Sequence, residues 1–390
     1  MTDAKRRSLT HHTVALVLAL IAAVVIPTMH AFGLIDTETV NMLGRYLCFA
    51  IVAMGLDLIW GYTGILSLCQ SFFFGLGGYA MGMYLAHQGN VTNGIPESLY
   101  VVYPYAVGES KGDEILPWFW EPFRTFPITV LLAILFPAAV AAFIGFFGFK
   151  SRVRGVYFSI LTQALTVAAA MFFSKNEMKL CGTNGLTHFK SVVGQGLTEP
   201  NVKLGLYLVT VFALFGAYFL CRYVVNSRLG RVLVAVRDAE SVLRFSGFQP
   251  HLFKVFVFAM AAGLAGLAGL LYVPQAMIIN PSIMEAKWSI LVVVWVAVGG
   301  RGTLVGAVLG ALSVNLLYNY LTSERDLLLF HWKPAYWPVL LGVLFIVVVL
   351  KMPRGIVPAL MDLPGRLSFK RKAATSVEDI PPVIAKEGAS

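Results

Sequence analysis

Long apolar runs separated by short polar breaks organise the whole chain. They lie near 14–33, 45–60, 65–86, 127–149, 156–174, 204–221, 255–273, 284–298, 304–321 and 335–350. Runs of this length predict membrane-crossing helices, since about 20 residues span a hydrocarbon core of roughly 30 Å. The pattern gives an all-α, polytopic membrane protein of about ten crossings. The second, eighth and tenth runs hold only 15 or 16 residues, so eight crossings is the alternative. Residues 1–12 read as a polar tail, 13–358 as the membrane domain, and 359–390 as a second tail too poor in apolar residues to fold alone. Two connections stand out by length: 87–126, rich in Gly, Pro and aromatics, and 225–251, which is basic.

Composition sharpens this picture. Of 390 residues, 58% are hydrophobic and 13% charged, against about 25% charged in soluble domains. A soluble enzyme, a disulfide scaffold and a disordered chain are excluded. The net charge of +10 raises nucleic acid as a partner, but cytosolic loops of membrane proteins carry the same bias. With residues 1–12 in the cytosol, 20 of the Lys and Arg fall inside and 10 outside, so both termini are placed in the cytosol and nucleic acid is set aside. The first run lacks a small-residue cleavage site and is expected to stay as an anchor. Cys48, Cys69 and Cys221 fall in spans and Cys181 in an outer loop, so no disulfide framework is expected. Trp118, Phe119 and Trp120 suit either a membrane interface or an outer docking surface.

Candidate chemistry is sparse. The seven histidines fall in loops or at span ends, offering no metal cluster or proton relay, and no GxxxxGK[ST] is present to cradle a nucleotide. The chain is therefore not expected to be an enzyme or to bind a cofactor. Gly75, Gly77 and Ala80 match a GxGxxA string, but inside an apolar crossing, where a dinucleotide loop does not belong. Asp57 is the one ionisable residue read as lying inside a span. It is either a carboxylate holding a neighbouring helix near the inner interface, or a gate; Arg301, in the turn before span nine, is its candidate partner. The uncharged polar residues Ser67, Gln70 and Ser71, then Thr162, Gln163 and Thr166, then Asn315 and Asn319, either join helices or line a wet path. Together they suit a neutral hydrogen-bonding solute better than an ion. A self-sufficient ion-coupled carrier would need more intramembrane carboxylates or histidines than Asp57 alone.

The basic connection predicts a short amphipathic helix from Gly230 to Phe245, with Val232, Val236, Ala239, Val242 and Leu243 along one face, stopped by Gly247 and Pro250. Such a helix lies on headgroups or fits a groove on a partner.

The string RVLVAVRDAESVLRFSGFQPHLFKVFVFAMAAGLAGLAGLLYVP resembles the coupling-helix loop and following span of ABC importer permeases of the branched-chain amino acid type. GLDLIWGYTGILSLCQSFFFGLGGYAMGMY, RVRGVYFSILTQAL and VWVAVGGRGTLVGAVLGAL extend the resemblance over about 43–358. The variants GLDLIWGYTG, GVYFSILTQAL, CGTNGLTHF, LPWFWEPF and AVGGRGTL are more similar to the urea-importing branch of that family. The resemblance implies a multi-pass subunit of the bacterial inner membrane. Its partners would be a second homologous permease, two cytosolic ATPases that carry ATP and Mg, and an outer solute-binding protein. It also implies that Arg237, Asp238, Ala239, Glu240 and Gly247 form the segment that docks on the ATPase. Two positions depart from the commoner amino-acid permeases: Asp57, usually Asn, and Cys69-Gln70, usually Gly-His. The pathway candidates are then Ser67, Gln70, Thr162, Gln163 and Asn315, with urea as solute and a branched-chain or polar amino acid as the alternative.

Overall fold

The computed structural model describes residues 20–89, 91–92, 95–99, 116–151, 155–322, 337–351 and 355–356. Both predicted tails, most of the first run's N-terminal half and the centre of the 87–126 connection lie outside the described residues. The described chain forms eleven principal helices: α1 (Ile21–Ala31, π-helical over Ile21–Val25), α2 (Thr37–Thr63), α3 (Gln70–Gln88), α4 (Phe126–Lys150), α5 (Val156–Phe173), α6 (Pro200–Asn226), α7 (Arg228–Phe245), α8 (Pro250–Ala276), α9 (Ala286–Gly299), α10 (Leu304–Thr322) and α11 (Trp337–Lys351). Two short two-stranded hairpins, Val91–Thr92 with Ile95–Pro96 and Ser191–Val192 with Gln195–Gly196, are its only described sheets. The class is therefore all-α. Each apolar run, over its described residues, falls mainly on a helix, and α7 is the additional one. Six helices (α2, α4, α5, α6, α8 and α10) are long and apolar enough to cross a membrane, and α1 and α9 are shorter apolar helices.

The second run is longer than its hydropathy suggests. α2 spans 27 residues, about 40 Å of helix, because the polar positions of its first turns find partners on other elements. Glu38 pairs with Lys203 of α6, and Asn41 donates to the Gln275 carbonyl of α8 at 3.0 Å. The third run is interrupted: residues 64–69 are irregular, and α3 begins only at Gln70.

The centre of the molecule is α8, packed against α2, α3 and α4. Backbones meet there at glycine. A Cβ on Gly269 would lie 2.0 Å from the Phe74 carbonyl oxygen of α3, so only a bare Cα permits this approach. α3 is buried along nearly its whole length, which explains its modest hydropathy: it faces protein, not lipid. By contrast α4 and α5 expose Leu131, Phe136, Phe143, Ile160 and Met171, as lipid-facing or subunit-facing helices should.

The end of the molecule opposite α7 is capped by the 176–199 segment, which docks through a two-way backbone bridge between Leu186 and Ile279 (2.8 and 3.0 Å). The aromatic string there divides. Trp120 is buried edge-on to His87, while Trp118 is exposed.

Candidate functional site

The basic connection folds as α7, but not as one uniform amphipathic helix. Ala239 is non-helical (φ −150°, ψ 57°), which breaks α7 into two pieces. The first piece buries Leu233 and Val236; the second leaves Val242 62% and Phe245 92% exposed. The single apolar stripe read from the sequence is thus corrected, since the break rotates Val242 away from the face that holds Val236. The helix ends as glycine chemistry predicts. Gly247 has φ +80°, and the Gly247 and Phe248 N–H groups return to the carbonyls of Arg244 and Leu243, satisfying groups that a helix end leaves free.

Arg237 ties this helix to the membrane core. Its Nη1 donates to the Gly61 carbonyl in the last turn of α2 at 2.8 Å, and its Nε to Asp238 Oδ1 at 2.8 Å. A guanidinium at a helix C-terminus meets both an unpaired carbonyl and the negative end of the helix dipole. The same hydrogen bonds hold the Asp238 carboxyl below its ordinary range. Glu240 faces inward, accepting from Arg244 Nη2 at 2.7 Å and from the buried Lys254 Nζ of α8 at 3.0 Å. Arg237 and Glu240 therefore fasten the two pieces of α7 to α2 and α8 respectively.

Asp57, one turn before Gly61, is fully buried. The expected ion pair with Arg301 is not how it is held: Asp57 Oδ1 accepts the Gly302 backbone N–H at 2.6 Å, and Arg301 lies over the Trp60 ring, 5.3 Å from its centroid. Placement at the same membrane face misled, because Asp57 meets the backbone of the turn while the Arg301 side chain lies over Trp60. Tyr62 Oη donates to the Gly302 carbonyl at 3.1 Å, so both backbone groups of Gly302 are bound by α2. Gly61 must be glycine here, since a Cβ would stand 2.6 Å from Gly302 N and 2.7 Å from Asp57 Oδ1. One continuous set of contacts thus runs from α7 through the end of α2 to the turn joining α9 and α10.

The predicted pathway residues separate into two kinds. Thr162 is a clamp: its Oγ1 accepts the Leu68 N–H at 3.0 Å. Its neighbours Ser159 and Thr166 donate to the Leu66 and Leu68 carbonyls at 2.8 and 2.9 Å. α5 thereby satisfies the broken backbone at 64–69, which a membrane interior requires. Ser67 is buried against Cys69 Sγ at 3.2 Å, and Asn315 donates to the Ala311 carbonyl of its own helix at 2.7 Å. Gln70 differs: it is 1% exposed, and both its amide atoms are without a protein partner. Gln163 Oε1 is likewise buried and unpartnered. Buried amides in this state call for water or a solute.

Two polar features escaped the sequence reading. Arg45, taken as the edge of the second run, lies two turns inside α2, half-buried, with a buried Nε lacking a partner. Gln275, two residues past the end of the 255–273 run, is buried in α8 and donates to Thr210 Oγ1 at 2.9 Å. The cue for both was polar spacing that continues a helical register past the apolar run. Among the described residues no group of His, Cys, Asp and Glu could hold a metal, and Cys48, Cys69, Cys181 and Cys221 are buried and form no disulfide.

Comparison with known proteins gives this architecture its class. The family described as "Branched-chain amino acid transport system / permease component" matches residues 39–349, and the chain belongs to that family. It is a multi-pass inner-membrane permease subunit rather than an enzyme. The permease protein LivM of the Escherichia coli high-affinity branched-chain amino acid transport system is 24% identical over 382 residues, covering 92% of this chain and 77% of LivM. A probable LivM of Methanocaldococcus jannaschii is 23% identical, covering 80% of this chain and 90% of that protein. The ribose import permease RbsC of E. coli is 26% identical over 206 residues, 49% of this chain and 60% of RbsC. No solved structure matches.

Proposed function

We propose that this chain is one permease subunit of an ATP-driven importer that carries urea or a related small neutral amide into the cell. In this reading it works with a second homologous permease, two cytosolic ATPases holding ATP and Mg, and an outer solute-binding protein. The observation that carries the solute assignment is Gln70, a buried amide with an unpartnered donor and acceptor beside a broken helix. Urea offers the complementary acceptor and donors without a charge to desolvate. The neighbouring side chains Ser67 and Ser71 are buried neutral hydroxyls.

A branched-chain amino acid is the second reading. The relatives named above favour it, and so does Arg45, whose unpartnered guanidinium Nε would suit a carboxylate. Uptake of labelled urea and labelled leucine separates the two, measured in a strain lacking its own importers and expressing the complete system. Urea uptake that leucine does not compete supports the proposal; leucine uptake alone overturns it.

The motor's grip falls on α7. Its second piece presents Phe245 and Val242 to water, an apolar patch suited to a groove on a partner, with the cytosolic side assigned by the Lys and Arg count. Nucleotide-driven movement of the ATPases would displace α7, and Arg237 would carry the displacement to Gly61, Asp57 and the Gly302 turn. A self-sufficient channel would work without that connection. Urea uptake that persists when the ATPases carry an inactivated P-loop would establish it instead.

A further inference from the structure

In the half of α2 remote from α7, one face carries Arg45, Phe49 and Val52, spaced so that they stack along the helix. Phe49 is the hub of an aromatic cluster. Its ring centroid lies 5.2 Å from Trp295, 5.4 Å from Tyr272, 5.9 Å from Trp288 and 6.0 Å from Phe74. These rings come from α3, α8 and α9, so the cluster is where four helices meet. It is not closed packing. Phe49, Phe74, Trp288 and Trp295 line a cavity of about 20 Å³ together with Ser71, room for one water-sized guest.

Among the residues lining the cavity Ser71 carries the hydroxyl, and the other walls are apolar side chains and rings. The Ser71 hydroxyl is bonded to the Ser289 hydroxyl at 2.6 Å, and Ser289 Oγ also accepts the Ser71 N–H at 3.2 Å. Trp295 Nε1 is buried without a partner. One turn from Phe49 stands Arg45, with its buried Nε also unpartnered. Among the described residues no carboxylate forms an ion pair with Arg45. Glu38, two turns earlier on the same helix, is near enough to interact with it electrostatically, and an arginine at this depth without a hydrogen-bonded acid among the described residues marks a functional position.

Building on the urea reading, we infer that this aromatic box is the station where the permease holds its solute in transit. The planar amide lies against the ring faces of Phe49 and Trp288. Its carbonyl oxygen accepts from the Arg45 guanidinium, and its N–H groups donate to the Ser71 and Ser289 hydroxyl oxygens. Planar, apolar walls with few convergent polar groups are what such a ligand requires. In the present conformation the box is collapsed around its small cavity. Trp288, half-buried in the first turn of α9 while Phe49, Phe74 and Trp295 are buried, is the wall able to swing aside.

The test is solute protection of an introduced thiol. The complete importer carrying Trp288→Cys, or Ile290→Cys on the exposed face of the same helix, is reconstituted in liposomes and treated with a maleimide. Labelling of the wild-type cysteines is subtracted. Saturating urea is expected to slow labelling of the Trp288→Cys thiol on the order of tenfold and leave that of Ile290→Cys unchanged. In parallel, Arg45→Gln raises the KM for urea uptake by about tenfold and Arg45→Lys restores most of it. Equal labelling rates with and without urea, with wild-type urea uptake intact, overturn the station and leave the transport reading standing. Protection by leucine and not by urea keeps the box but overturns both the amide assignment and the urea reading. Should Trp288→Cys fail to assemble, an unchanged KM in Arg45→Gln overturns the station by itself.

Discussion

Asp57 shows how little of a residue's role its charge alone reveals. In the sequence it is a carboxylate expected at the same membrane face as an arginine, Arg301; in the structure it is an acceptor for one backbone N–H of Gly302. Asp57→Asn retains a carbonyl oxygen for that bond and is expected to keep both fold and transport. Asp57→Ala leaves the Gly302 N–H buried and unpaired, a loss of about 1–3 kcal/mol. The unfolding midpoints of the two purified variants, compared under one set of conditions, check this; equal destabilisation would contradict it. Gly61→Ala is the steric counterpart. Its Cβ would fall within 2.7 Å of both Gly302 N and Asp57 Oδ1, and the overpacking is expected to cost about 1–3 kcal/mol, read in the same assay.

At the scale of elements, what the sequence makes legible is whatever repeats. The apolar runs, the amphipathic α7 and its glycine stop follow from periodicity and capping chemistry. Less legible is what depends on partners far along the chain. The first turns of α2 look polar enough to be a loop until Lys203 and Gln275 are seen to hold Glu38 and Asn41. The break at Ala239 has no signature, because alanine favours a helix; the ties of Arg237 to α2 and Glu240 to α8 pull the two pieces apart. Thr162 reads as a pathway group from its polarity, but the irregular 64–69 backbone makes it a clamp. Thr162→Val keeps the shape and removes the acceptor for the Leu68 N–H. It is expected to destabilise the protein by about 1–3 kcal/mol without altering the KM for solute; uptake kinetics and thermal unfolding of the same preparation check both halves. A KM change at unaltered stability would return Thr162 to the pathway.

Across the whole molecule, the contacts from α7 to the Gly302 turn join the region proposed to meet the cytosolic ATPases with the helices α9 and α10. A conformational change driven from outside needs a mechanical path and a difference in contacts between two states, and Arg237 supplies a hydrogen-bonded link of this path between α7 and α2. Arg237→Ala removes the hydrogen bond to Gly61 while leaving Phe245 exposed for docking. Introducing a charge at Phe245, as Phe245→Asp, removes the proposed docking patch instead. Both variants are expected to reach the membrane, since neither side chain supports the buried core. The direct measurement is ATP hydrolysis by the complete complex in liposomes, with and without liganded solute-binding protein, alongside labelled urea uptake. The account predicts that Phe245→Asp abolishes the stimulation, and that Arg237→Ala lets hydrolysis continue while uptake falls at least tenfold. Wild-type stimulation and wild-type uptake in both variants would contradict it.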